Sequence, residues 1–126
     1  METEEWPAEW LRGALELAVL GAAARGTTYG YQLASRLADG GIGQIKGGTL
    51  YPLLGRLERD GLLEAHWGPG DGGPGRKYYD LTAAGADRLA TLAETWRRFA
   101  ARICDLTEGT TDNGSQPERR GRARRH

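Results

Sequence analysis

The chain has 126 residues, 39% hydrophobic and 27% charged, with a formal net charge of zero. That is one ordinary domain with a modest core, and it excludes a globally basic nucleic-acid binder, so any such surface must be local. A single cysteine, Cys104, excludes an intrachain disulfide, and no apolar run approaches the roughly 20 residues of a membrane span.

The acidic start, Met1-Glu-Thr-Glu-Glu5, is unlike the basic start of a signal peptide, so a cytoplasmic protein without membrane contact is expected. From Leu11 to Ala24, Leu11, Leu15, Ala18, Val19 and Ala22 recur at helical spacing, and Leu17 and Leu20 widen the face, predicting a largely buried helix. Gly26 stops it, and Thr27 or Thr28 is expected to cap a second helix over Tyr29–Ala38, where Tyr29, Leu33 and Leu37 share a face. After Asp39-Gly40-Gly41 and a glycine-rich connection, a third helix carries the stripe Leu50, Leu53, Leu54, Leu57. Pro52 is tolerated in a first turn, which places the helix start at Gly48 or Thr49, and Gly61 ends it.

Two short strands follow. Leu63, Ala65 and Trp67 alternate on one, and Lys77, Tyr79 and Leu81 on the other, with the tip Gly68-Pro-Gly-Asp-Gly-Gly-Pro-Gly75 between them. Tyr78 and Tyr79 are expected to pack this hairpin on the helices. Thr82 caps a fourth helix predicted to run to about Leu106. Its apolar residues Leu89, Leu92, Trp96, Phe99, Ile103 and Leu106 are spaced alternately three and four apart. So narrow a heptad seam asks for a partner helix, most economically the same helix of a second copy. The fold class is therefore mainly α with a small β-hairpin: a winged helix-turn-helix plus a long C-terminal dimerisation helix. The expected organisation is 1–81 winged unit, 82–108 dimerisation helix and 109–126 a disordered basic tail, in which five arginines between Arg119 and Arg125 face only Asp112 and Glu118.

The blocks Leu11-Arg-Gly-Ala-Leu15, Tyr29-Gly-Tyr-Gln-Leu33, Gly48-Thr-Leu-Tyr-Pro52, Arg56-Leu-Glu-Arg-Asp-Gly-Leu62 and Arg76-Lys-Tyr-Tyr-Asp-Leu-Thr82 resemble, in order and spacing, the PadR family of transcriptional regulators. The resemblance spans roughly Leu11 to Leu106. It implies a homodimer with crossing fourth helices and with the third helix and wing of each subunit on double-stranded DNA. It also implies repression relieved by a small molecule or a change of cell state. The single long final helix looks like the shorter subfamily. One branch of it, the lactococcal multidrug-sensing repressor, holds flat aromatic drugs between two tryptophans. Glu94-Thr-Trp-Arg-Arg98 is similar to its motif, which makes Trp96 a candidate ligand-binding residue for a planar aromatic effector. Trp10, ahead of the first apolar positions, is a second candidate, with core or dimer packing as its plainer role.

On the third helix, Pro52, Gly55, Arg56 and Arg59 point away from the leucines toward the expected DNA face. Gly48, Thr49 and Tyr51 stand at its N-terminal end, where free N–H groups favour a phosphate, and Lys46 just precedes it. Tyr51 packing between helices and Arg56 pairing with Asp60 are the alternatives. Arg76 and Lys77 beside the flexible tip suit phosphate or minor-groove contact; a charge-solubilised loop is the plain alternative. The chain holds two histidines and one cysteine, with no phosphate loop, nucleophile elbow or paired carboxylates, so neither an enzyme, a metal site nor a cofactor is expected. The near-zero net charge keeps open a winged-helix protein-interaction module without specific DNA binding.

Overall fold

The computed structural model describes residues 5–111, with side chains to residue 108. The elements are α1 (Ala8–Ala23), β1 (Thr28–Tyr29), α2 (Gly30–Asp39), α3 (Gly47–Arg59), β2 (Leu63–Gly68), β3 (Arg76–Leu81) and α4 (Ala83–Thr111). They divide into two compact units, Met1–Thr91 and Leu92–His126. The arginine cluster Arg119–Arg125 lies outside the described residues.

The first unit is a winged helix-turn-helix. Leu15, Val19 and Leu20 of α1, Leu33 and Leu37 of α2, and Leu50, Leu54 and Leu57 of α3 make its core, closed by Leu63 and Tyr79 of the sheet. Burial pushes the Tyr79 phenol pKa up. The helix ends follow from their glycines. Asp60 caps α3, and Gly61 at φ 78° lets the Leu62 N–H turn back to the Leu57 carbonyl at 2.9 Å. Gly41 at φ 95° does the same after α2, with Ile42 N–H on Leu37 O at 2.9 Å. Arg36 ties α2 to the end of α1 by donating to the Ala22 and Gly26 carbonyls, both at 3.0 Å.

The hairpin register pairs Leu63 with Leu81, Ala65 with Tyr79 and Trp67 with Lys77, so the two expected triplets share one face. Four local expectations need correction. Thr27 and Thr28 do not cap α2: Tyr29 is the N-cap residue, without a side-chain cap. Thr28 and Tyr29 instead form β1 against Tyr79 and Tyr78, and the Thr27 hydroxyl donates to Asp80. Edge pairing satisfies these backbone groups, which a cap would leave unpaired. Second, α3 begins at Gly47, so Pro52 lies inside it, beyond the first turn; the first turn is closed by Thr49 and Leu50 N–H on Lys46 O at 3.0 and 2.9 Å. Proline withholds only one N–H, and the turn before it is already hydrogen-bonded. Third, Tyr78 does not join the core as Tyr79 does, and it meets Tyr29, the N-cap residue of α2, edge-on at 5.7 Å. Successive strand residues face opposite ways, so Tyr79 goes inward while Tyr78 stacks on His66 at 5.8 Å and donates to Pro69 O at 2.7 Å. Fourth, α4 runs past Leu106 to Thr111, since extending a formed helix is cheap.

Thr82 does cap α4, accepting from Gly85 N–H at 2.9 Å and donating to Gly61 O at 2.7 Å. These bonds join the first turn of α4 to the winged unit, which extends to Thr91. In the second unit α4 exposes Trp96, Phe99, Ile103 and Leu106, with 75% of Leu106 in contact with solvent. Among the described residues, no helix is long and apolar enough to cross a membrane.

Candidate nucleic-acid interface

The leucine stripe decides what α3 shows to solvent. With Leu50, Leu54 and Leu57 buried, the helix exposes Gly48, Thr49, Tyr51, Pro52, Arg56 and Arg59, with Gly55 half-exposed between them. Its N-cap residue Lys46 is exposed, and its first turn carries no acid. The positive end of the helix dipole therefore meets water without a neutralising carboxylate.

Tyr51 packs against neighbouring backbone and still reaches solvent. Its ring lies over Gly30, where an added Cβ would stand 2.7 Å from Cζ, and over Gly47 at 3.3 Å. Half of the side chain remains exposed. Arg56 makes the expected pair with Asp60 at 3.6 Å and a second with Glu16 of α1 at 3.3 Å. Glu16 also holds Arg88 of α4 at 3.1 Å. Arg59 lays its guanidinium across Gly55, 3.6 Å from the position of an added Cβ.

On the wing, the Arg76 guanidinium sits 3.9 Å above the Tyr29 ring and 3.7 Å from Asp71. Lys77 reaches Glu58 of α3 at 3.1 Å. The Glu58 hydrogen bond, then the Tyr79 phenol, raise the Lys77 pKa above its ordinary value. An open depression of about 730 Å³ is lined by Tyr51 and Gly55 of α3, Arg76 and Lys77 of the wing, and Tyr29 and Tyr31 around the start of α2. Helix and wing thus contribute to one concave, cation-bearing surface. Lys46, Gly48, Thr49, Pro52, Arg56 and Arg59 are not in its lining. Trp10 on α1 and Trp96 on α4 are both exposed, the latter with its ring 6.1 Å from Phe99.

Sequence reasoning missed Tyr29 and Tyr31 as lining residues, and Glu16 and Glu58 as partners of the basic side chains. The glutamates lie far from those cations in sequence, so local spacing carries no signal for them. Tyr31 carried one: it lies off the face shared by Leu33 and Leu37.

Residues 19–91 match the transcriptional regulator PadR-like family. The chain is 34% identical over 107 residues to a transcriptional regulator of Mycobacterium tuberculosis, covering 85% of this chain and 98% of that one. Among solved structures it is similar to a PadR family transcriptional regulator from Eggerthella lenta, with 40% identity, a TM-score of 0.72, and coverage of 80% of this chain and 88% of that chain. It is also similar to Bacillus subtilis PadR in complex with operator DNA, at 26% identity and a TM-score of 0.58, over 66% of this chain and 48% of that chain.

Proposed function

The chain belongs to the PadR-like family of transcriptional regulators, and from that premise we propose that this DNA-binding regulator grips double-stranded DNA with α3 and the wing, as a cytoplasmic homodimer acting as a repressor. The observation that carries the reading is the depression shared by Tyr51 on the helix and Arg76 and Lys77 on the wing. Around it, Gly48, Thr49 and Pro52 form the N-terminal edge of the helix. Lys46, Arg56 and Arg59 supply further cations for phosphates or base edges. Residues up to the start of α4 make the DNA-binding unit, and α4 is the dimerisation helix, through Leu89, Leu92, Trp96, Phe99, Ile103 and Leu106.

The experiment is a fluorescence anisotropy titration against labelled DNA from upstream of the protein's own gene, with an unrelated duplex as control and several salt concentrations. Tight binding to the upstream duplex that weakens with salt supports the reading. Retention of neither duplex at low salt would favour an interaction module without specific DNA binding.

The effector is a planar aromatic molecule stacked between Trp96 and its symmetry mate, and Trp10 is a second candidate ligand-lining residue. The exposed indole of Trp96 on a seam of apolar residues supports this. Planar dyes should quench tryptophan fluorescence, and quenching that survives Trp96→Phe would rule out this site.

A further inference from the structure

Burial fades along one face of β2: Leu63 is buried, Ala65 half-buried, and Trp67 is 71% exposed. An indole left in water is a cost that the fold does not require. The wing is already fastened by buried Tyr79, by the Tyr78 hydrogen bond to Pro69 and by the Lys77–Glu58 pair. Gly75 lies close to its ring, where an added Cβ would stand 3.8 Å from Cε3.

The neighbours of Trp67 indicate its occupant. The register sets it opposite Lys77 on the same face, while Arg76, paired with Gly68, turns to the other face. An exposed aromatic plane beside a cation is complementary to a nucleic-acid backbone, in which an apolar sugar lies next to each phosphate. We propose that Trp67 is a DNA-contacting residue whose indole packs on deoxyribose beside the phosphate that Lys77 holds. This rests on the DNA-binding reading above.

The contact is apolar and sequence-tolerant, so its signature differs from that of a cation. With the full chain and the two duplexes above, Trp67→Ala should weaken binding to both by roughly ten-fold. The slope of affinity against salt should not change, because no counterion-releasing charge is removed. Trp67→Phe should recover most of the loss, whereas Lys77→Ala should lower the slope by about one. A melting midpoint equal to that of the unaltered protein separates lost contact from lost fold. In a variant carrying Trp6→Phe, Trp10→Phe and Trp96→Phe, acrylamide quenching of the remaining Trp67 should fall when duplex is added. If the unaltered protein binds DNA and Trp67→Ala binds equally well, or if quenching is unchanged by bound duplex, the proposal is overturned alone. If the unaltered protein binds neither duplex, the DNA-binding reading falls and this proposal with it.

Discussion

Gly85 and Gly30 both lack room for a methyl group, yet the consequences of filling them differ. At Gly85 an added Cβ meets the Leu62 carbonyl, a backbone atom also engaged by the Thr82 N–H at 3.1 Å. Nothing there can yield cheaply, so Gly85→Ala should destabilise the fold by about 1–3 kcal/mol, seen as a melting midpoint several degrees lower. At Gly30 the obstacle is the outer end of the Tyr51 side chain, which has solvent to swing into. Gly30→Ala should therefore melt near the unaltered protein but bind DNA several-fold more weakly, because its phenol is displaced from the depression. Equal DNA affinity would remove Tyr51 from the interface. The sequence contains both glycines, but their neighbours are contributed from 21 and 23 residues away, across turns that periodicity does not register.

At the scale of elements, what was legible is what repeats. The leucines of α3 announce their buried face through their spacing, Gly61 and Gly41 mark helix ends through the left-handed backbone they allow, and the alternating triplets of the hairpin fall into register as expected. What was not legible is short or distant. β1 has two residues, no more than one period of strand alternation, and Thr27 and Thr28 at its start resemble caps. The Glu58–Lys77 link joins α3 to the wing across 19 residues. That link lets the helix hold the wing while occupying its lysine. The Lys77 pKa is raised, so the link is intact below the ordinary lysine value and loosens only as pH climbs through the raised one. Wing docking should thus be insensitive to pH around neutrality. Glu58→Gln should release Lys77 for phosphate and raise DNA affinity by roughly two- to five-fold, the scale of a partly exposed ion pair. An affinity unchanged or reduced in the titration would mean that Lys77 does not reach the DNA.

For the whole molecule, the decisive feature is the seam on α4. Phe99 is 57% and Ile103 46% exposed, and a second copy of the helix would cover both. If α4 pairs with a second copy as proposed, Phe99→Asp combined with Ile103→Asp should raise the dimer dissociation constant by roughly two to three decades, since each side chain contributes about 1.5–3 kcal/mol when buried. Sedimentation velocity measures this directly, and an unchanged mass would exclude the seam as the interface. The Glu16 carboxylate of α1 ties α3 to the start of α4, holding Arg56 with one oxygen and Arg88 with the other. Drawing Arg56 onto a phosphate leaves the carboxylate to Arg88 alone, and pulling Arg88 away leaves it to Arg56. If Arg56 takes a phosphate as proposed, the two ties compete for one carboxylate, and any coupling that results is reciprocal: a shift at the start of α4 would change the hold on DNA by the same factor by which DNA changes the preference for that shift.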